Sequence, residues 1–174
     1  MDDFVAFGSG DYLVLAGVLV LARGLDCLST WIATPRLLLE ANPIARFLGW
    51  RWGLVLNAVI CGLVAAWPFP AVTIATTSLL VAARNFQSAW LMRTMGEGAY
   101  RAWLAARVDE THRGLFLGCL AGQTAIPAFL GGGLIYFGDP EVIPVGIGFG
   151  ILFYGVAVLL FTLLSLRRLL RPAG

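Results

Sequence analysis

The segment from Tyr12 to Ala33 is long and apolar enough to cross a bilayer, yet it carries two charged residues near its middle. A spanning helix needs about 20 mainly apolar residues at ~1.5 Å rise per residue. Ionisable groups in the centre of such a helix are costly and usually mark a function. Arg23 and Asp26 are three residues apart, which places them on one helix face, and Thr30 extends that face. The face is therefore either a binding site or an ion pair that only specifies helix packing.

The composition of the whole chain indicates an integral membrane protein. Of its 174 residues, 13% are charged, whereas soluble domains contain about 25%. The mean hydropathy is +0.84. Five apolar segments fit spanning helices, at residues 12–33, 48–67, 71–92, 114–137 and 142–166. We therefore predict an all-α, polytopic membrane helical bundle of about five transmembrane helices, forming a single domain over residues 1–174.

The arginines predict how this bundle is oriented. Of the 12 basic residues, all except Arg23 and Arg84 follow the first, third or last apolar segment. These residues are Arg36, Arg46, Arg51, Arg93, Arg101, Arg107, Arg113, Arg167, Arg168 and Arg171. The connections on the opposite side carry no basic residue. Because short cytoplasmic loops are enriched in basic residues, we expect the N-terminus outside and the C-terminus in the cytoplasm. The net charge of +2 is too small to argue for a nucleic-acid partner.

Two connections carry signals of their own. Asn42 followed by Pro43 is typical of a helix start, with an N-cap and a proline in the first turn. Glu40 stands just before that start, so helix capping and ligand binding are both open for Glu40 and Asn42. After the third segment, apolar residues at helical spacing predict an amphipathic interfacial helix at about 97–110, whose arginines could meet lipid phosphates.

Polar residues also interrupt the other apolar segments. Arg84 and Asn85 lie within the third segment, and Asn57 lies within the second. In the fourth, Pro127 removes the hydrogen bond to the carbonyl of Gln123, which predicts a free acceptor in mid-membrane. The fourth segment also opens with glycines at four-residue spacing, a pattern that permits close helix packing.

Counting residues from the outer end of each segment predicts that these groups share one layer. Asp26, Arg84 and Gln123 fall at a depth of about 20 Å, and Arg23 and Asn57 at about 16 Å. Since charges avoid lipid, we expect Asp26 and Arg84 to approach within ion-pair distance. Two arginines against one aspartate leave excess positive charge, which favours an anionic or amphiphilic ligand. The candidate ligand-binding residues are Arg23, Asp26, Thr30, Glu40, Asn42, Asn57, Arg84, Asn85 and Gln123.

The sequence lacks the usual signatures of catalytic, metal or cofactor sites. Cys27, Cys61 and Cys119 lie in apolar segments without C-x-x-C spacing, and His112 is the single histidine, in a polar connection. We therefore predict no catalytic residue, no metal and no cofactor, although Asp26 and Glu40 keep an enzyme acting on a lipid-like substrate open.

The run LDCLSTW, followed by EANPIA, resembles an uncharacterised group of small prokaryotic membrane proteins, a family defined by a domain of unknown function. That family carries D-x-x-[ST]-T in one span and E-x-N-P before the next. The matching residues are Asp26, Ser29, Thr30, Glu40, Asn42 and Pro43. The resemblance covers about the first third of the chain. It implies that these residues belong to one site, but it supplies no activity.

Three functions remain open at this point. The mid-membrane pocket could bind or translocate a small anionic or amphiphilic ligand, such as a lipid head group. The chain could instead be a non-catalytic accessory subunit of a larger membrane complex, with other membrane subunits as partners. A membrane enzyme is the third possibility. In each case we expect a multi-pass protein of the bacterial inner membrane with the lipid bilayer as its surroundings.

Overall fold

The computed structural model describes residues 4–169, which form six α-helices and contain no strand. The helices are α1 (Gly10–Ala33), α2 (Pro43–Val64), α3 (Pro68–Met95), α4 (Glu97–Glu110), α5 (Arg113–Phe137) and α6 (Val142–Leu169). The predicted all-α bundle is confirmed. Of the arginines used to predict the orientation, Arg171 lies outside the described residues.

Four of these helices, α1, α2, α5 and α6, are long and apolar enough to cross a bilayer. The chain is therefore a small integral membrane protein. Helix α3 is also long enough, with 28 residues, but it is more polar than the other four. The short helix α4 covers the residues for which the sequence predicts an interfacial amphipathic helix.

Local capping explains where α2 begins. Asn42 is the N-cap of α2, because its side chain accepts a hydrogen bond from the backbone N–H of Ile44, and Pro43 opens the helix as predicted. Gly49 then kinks α2 with a φ of 63°, a left-handed conformation that glycine adopts without strain. Gly96, with a φ of 79°, separates α3 from α4.

Helices α1, α3 and α6 run parallel to one another. On α1 and α3, Arg23 contacts Ser78, and further along both helices Ser29 contacts Asn85. On α3 and α6, Thr73 contacts the carbonyl of Gly146, and further along both helices Arg84 contacts Thr162. In each pair of helices, residue numbers rise in the same direction. These three helices therefore end at one side of the bundle, which we call the arginine-rich end. Its connections comprise residues 34–42 and 111–112 together with α4.

The other two long helices run in the opposite direction. Tyr12, near the start of α1, donates to the carbonyl of Gly62 near the end of α2. The loosely packed α2 has Cys61 as its one buried residue within the described helix, so it contributes little to the core. Helix α5 packs against α6 and has no substantial packing against α1 or α2 in the described chain.

Glycines allow α6 to lie close to its neighbours. A Cβ atom on Gly150 would meet Cβ of Thr76 at 2.5 Å and the carbonyl oxygen of Thr73 at 2.9 Å. On the opposite side of α6, a Cβ on Gly131 of α5 would meet the carbonyl oxygen of Gly148 at 2.5 Å. Such distances leave no room for any side chain, so glycine is required at these contacts.

The buried apolar core lies at the end of the bundle away from the arginines. Its cluster comprises Leu19, Ala22, Cys61, Ala65, Ala71 and Ala75, from α1, α2 and α3. Small residues let these helices converge there. Toward the arginine-rich end, the space between α1, α2, α3 and α6 forms a cavity.

Candidate functional site

The cavity has a volume of about 570 Å³ and is partly open to the outside. Helices α1, α2, α3 and α6 form its walls, and the 34–42 connection and α4 lie at its arginine-rich end. Eight of the nine residues predicted to bind a ligand line it: Arg23, Asp26, Thr30, Glu40, Asn42, Asn57, Arg84 and Asn85. The volume is in the range typical of small-molecule sites.

Arg23 is fully engaged within the cavity wall. Its Nη1 lies 2.8 Å from Asp26 Oδ2 and 3.1 Å from Ser78 Oγ, and its Nε donates to Asn57 Oδ1 at 2.7 Å. Asn57 in turn donates to the carbonyl of Gly53 at 2.8 Å. This chain of polar contacts joins α1, α2 and α3. The predicted local Arg23–Asp26 pair is therefore present, and it ties three helices together.

Asn85 connects the same face of α1 to α3. Its Nδ2 lies 3.3 Å from Ser29 Oγ and 3.4 Å from Thr30 Oγ1. Ser29 is fully buried and also donates to the carbonyl of Asp26 at 2.9 Å. The hydroxyl groups of Ser29 and Thr30 thus hold α1 against α3. Thr30 and Asn85 also line the cavity.

Arg84 does not form the predicted ion pair with Asp26. Its Nη2 donates instead to Thr162 Oγ1 on α6 at 3.4 Å, which is long for a hydrogen bond. Within residues 4–169, no carboxylate lies within 4.0 Å of the Arg84 guanidinium. The prediction was wrong because Asp26 is satisfied by Arg23 on its own helix. Arg84 is consequently the cavity's cation without an acidic partner among the described residues.

The 34–42 connection lies across the arginine-rich end of the cavity. Arg168 of α6 donates from Nη1 to the carbonyl of Glu40 at 2.6 Å and from Nη2 to that of Ala41 at 2.7 Å. Glu40 Oε1 accepts from the backbone N–H of Asn42 at 2.7 Å. In the described chain, Glu40 forms no ion pair with Arg46 or Arg51, the surface partners considered from the sequence. The capping role is thus observed for Asn42, while both residues also line the cavity.

Glu97, at the start of α4, holds the other half of this connection. Its carboxylate accepts hydrogen bonds from Thr34 Oγ1 at 2.7 Å and from the backbone N–H groups of Arg36 and Leu38 at 2.8 Å each. Burial raises the pKa of Glu97, but these hydrogen bonds and the nearby Arg36 charge outweigh it and lower the pKa below its ordinary value. The ionised carboxylate therefore holds the connection in place.

Gln123 lies outside the cavity, contrary to prediction. It is exposed on α5, which faces α6 through the neighbouring Thr124 and through Gly131. One residue along a helix turns the side chain by about 100°. Depth alone predicted Gln123 as a neighbour of Asp26, but depth does not specify which way a side chain points.

Several cavity contacts were not predicted from the sequence. Ser78 and Thr162 are hydroxyl residues within membrane-length helices, where such side chains commonly bond to their own backbone, so nothing marked them as partners of Arg23 and Arg84. Arg168 was counted only toward the orientation, and Glu97 only toward the interfacial helix. The sequence signals for Arg168 and Glu97 are weak: Arg168 is a charged residue in the last turn of α6, and Glu97 is a charged residue in the first turn of α4.

Apolar residues make up a large part of the remaining cavity wall. Leu54 of α2, Val81 of α3 and Phe161 and Leu166 of α6 line it beside the polar groups. Such a lining suits a ligand with a charged part and an apolar part. Within residues 4–169, no group of three or more histidine, cysteine or acidic residues is arranged to hold a metal ion.

No family model matches this sequence, and no curated protein or solved structure was found to be similar to it. The candidate site therefore rests on the geometry of the chain itself.

Proposed function

We propose that this membrane protein binds a small anionic or amphiphilic ligand in the cavity between α1, α2, α3 and α6, with Arg84 as the anion-binding residue. Arg84 carries the proposal, because it lines the cavity and has no carboxylate within 4.0 Å in the described chain. A guanidinium in a low-dielectric site is stabilised by a phosphate or carboxylate, to which it can donate two parallel hydrogen bonds.

The state of Arg23 supports the choice of Arg84. Arg23 already bonds to Asp26, Asn57 and Ser78, and the Asp26 carboxylate at 2.8 Å neutralises its charge. Arg84 would give up only its 3.4 Å contact with Thr162. Its neighbour Asn85 lines the same cavity and can add an amide donor.

The cellular setting is part of the same proposal. The distribution of arginines supports a location in the bacterial inner membrane, with the arginine-rich end in the cytoplasm. A ligand held at mid-membrane depth could be stored there or released on the other side, so the site would serve ligand binding or translocation.

Ligand titration with matched arginine variants tests the proposal. The full chain in a non-ionic detergent would be titrated with inorganic phosphate and with decyl phosphate by isothermal calorimetry. We expect Arg84→Gln to weaken binding about tenfold or more, as for loss of a charge-assisted hydrogen bond. Arg93→Gln, on the same helix but exposed and outside the cavity, should bind like the wild type. Equal binding of both probes by wild type and Arg84→Gln would refute the proposal.

An accessory subunit of a larger membrane complex is a second candidate, which the outer face of α5 favours. Gln123 is exposed there, and a Cβ on Gly118 or Gly122 would have nothing within 4 Å. A polar amide facing lipid is costly, and the nearby glycines permit another helix to approach. If the chain is an accessory subunit, Gln123→Leu should release the partner subunit from a mild-detergent preparation. Retention of all co-purifying subunits would contradict the accessory-subunit function.

A further inference from the structure

We infer that the ligand is a lipid of the surrounding bilayer with an anionic head group, and that it reaches the cavity sideways, through the gap between α2 and α6. This inference rests on the proposed function, since it takes Arg84 as the site of the anionic group. It adds the chemical class of the ligand and the route by which it arrives.

The 34–42 connection is held by hydrogen bonds across the arginine-rich end of the cavity, on the route from the aqueous phase. Arg168 holds the carbonyls of Glu40 and Ala41, and Glu97 holds Thr34 and two backbone N–H groups. Trp50 Nε1 adds a hydrogen bond to the carbonyl of Pro35 at 2.8 Å. A water-soluble anion would have to break several of these contacts to reach Arg84.

The same connection contains a strained residue, which shows how firmly it is held. Leu37 lines the cavity with a φ of 57°, a left-handed conformation that is strained for a non-glycine residue. Such strain persists only when surrounding contacts over-determine the backbone. The hydrogen bonds that Glu97 accepts from Arg36 and Leu38, and those that Arg168 donates to Glu40 and Ala41, supply those contacts.

The side of the cavity that faces the bilayer is less well closed. Among the described residues, α2 has no substantial packing against α6, although both helices line the cavity. Leu54 marks the edge of this gap, because it lines the cavity and its surface is nevertheless 52% exposed. The kink at Gly49 lies on the same helix, five residues before Leu54.

The chemistry of the lining also fits a lipid better than a free anion. Polar groups line several parts of the cavity, and beside Arg84 and Thr162 the apolar residues Val81, Phe161 and Leu166 form part of the wall. A free phosphate would leave that surface facing water. A lipid would place its head group at Arg84 and its chain along the apolar wall, extending through the gap.

Lipid uptake by cavity variants tests the inference. The full chain, purified in a non-ionic detergent, would be mixed with phosphatidylglycerol or phosphatidylcholine, and bound lipid would be followed over time by native mass spectrometry. We expect phosphatidylglycerol to be retained in preference to phosphatidylcholine, and Arg84→Gln to lower its retention about tenfold. Inorganic phosphate should not compete with phosphatidylglycerol at equal concentration.

Two further variants, with a matched control, distinguish entry through the gap between α2 and α6 from entry at the arginine-rich end. Leu54→Trp, at the edge of the gap, should slow uptake of phosphatidylglycerol several-fold, whereas Leu56→Trp, exposed on the same helix but outside the cavity, should not. Glu97→Gln, which loosens the 34–42 connection, should leave the rate unchanged. Thermal unfolding of each variant confirms that it folds.

The results distinguish this inference from the proposed function. If inorganic phosphate competes in an Arg84-dependent manner, or if Glu97→Gln accelerates uptake while Leu54→Trp has no effect, the lipid and its lateral route are refuted and anion binding at Arg84 stands. If neither phosphatidylglycerol nor phosphate depends on Arg84, both the inference and the proposed function are overturned.

Discussion

The Arg23 guanidinium and the Asp26 carboxylate lie 2.8 Å apart within one turn of α1. Their side chains are 29% and 17% exposed, so the pair is substantially shielded. Hydrogen bonds from Arg23 extend the pair to Asn57 on α2 and Ser78 on α3. Asp26 therefore neutralises the cation that links three helices, and its first role is structural.

Replacing Asp26 should destabilise the bundle. In Asp26→Asn, the Arg23 charge would lose its counter-ion, which we expect to lower the free energy of unfolding by about 1.5–3 kcal/mol. Glu110→Gln is the matched control, because Arg107 and Glu110 form the same i,i+3 pair with side chains 56% and 60% exposed. An exposed pair contributes about 0–1 kcal/mol. Equal thermal stability of Asp26→Asn and Glu110→Gln in detergent would contradict this prediction.

Replacing Gly150 by alanine should separate α3 from α6. The added Cβ would lie 2.5 Å from Cβ of Thr76, and we expect a loss of about 1–3 kcal/mol from overpacking. Gly122→Ala is the control, because a Cβ there meets nothing within 4 Å, and alanine favours the helix. Thermal melts should show Gly150→Ala less stable than the wild type and Gly122→Ala at least as stable. A Gly150→Ala protein with unchanged stability would show that the helices can shift apart without cost.

Acid should release the 34–42 connection through Glu97. Since hydrogen bonds lower the pKa of Glu97 in the folded protein, the ionised form stabilises the connection. This stabilisation is complete above the unfolded carboxyl pKa of about 4.3 and is lost as the pH falls through the lower folded value. Hydrogen exchange at the Arg36 and Leu38 amides, corrected for its intrinsic pH dependence, should report the release. In Glu97→Gln, the two amides should exchange faster at neutral pH and show no such transition, whereas Glu110→Gln should behave as the wild type.

The orientation of the bundle remains a prediction from the arginines. We expect reporter fusions to place the C-terminus in the cytoplasm and the N-terminus outside, because the arginine-rich end carries the charges that favour retention on the inner side. If a periplasmic reporter fused to the C-terminus were active, the orientation would be the opposite of the one predicted. It would leave the cavity and its contacts unchanged.

Features that depend on position along one helix could be predicted from the sequence. The start of α2 at Asn42 and Pro43 follows from local capping, and the shared depth of Arg23, Asn57 and Arg84 follows from the constant rise of a helix. Such local rules need no knowledge of neighbouring helices. They account for the all-helical fold and for eight of the nine predicted site residues lying at the cavity.

Features that depend on how helices face one another could not be predicted. Gln123 shares the depth of the cavity but points away from it, because the rotation of α5 is determined by its contact with α6. Likewise, Arg84 bonds to Thr162, 78 residues further along the chain, and Arg168 reaches a carbonyl 128 residues before it. No local pattern encodes contacts of that separation.

The parallel arrangement of α3 between α1 and α6 has a consequence for biosynthesis. Helix α3 leaves the ribosome before α6 exists, so the hydroxyl of Thr162 and the carbonyls of Gly146 and Gly150 cannot yet meet their partners on α3. During this interval Arg84 would sit in a nascent helix without the wall that later shields it. The membrane insertion machinery or lipid phosphates must therefore accommodate that charge until translation is complete, and chains truncated before residue 142 should be unstable and rapidly degraded.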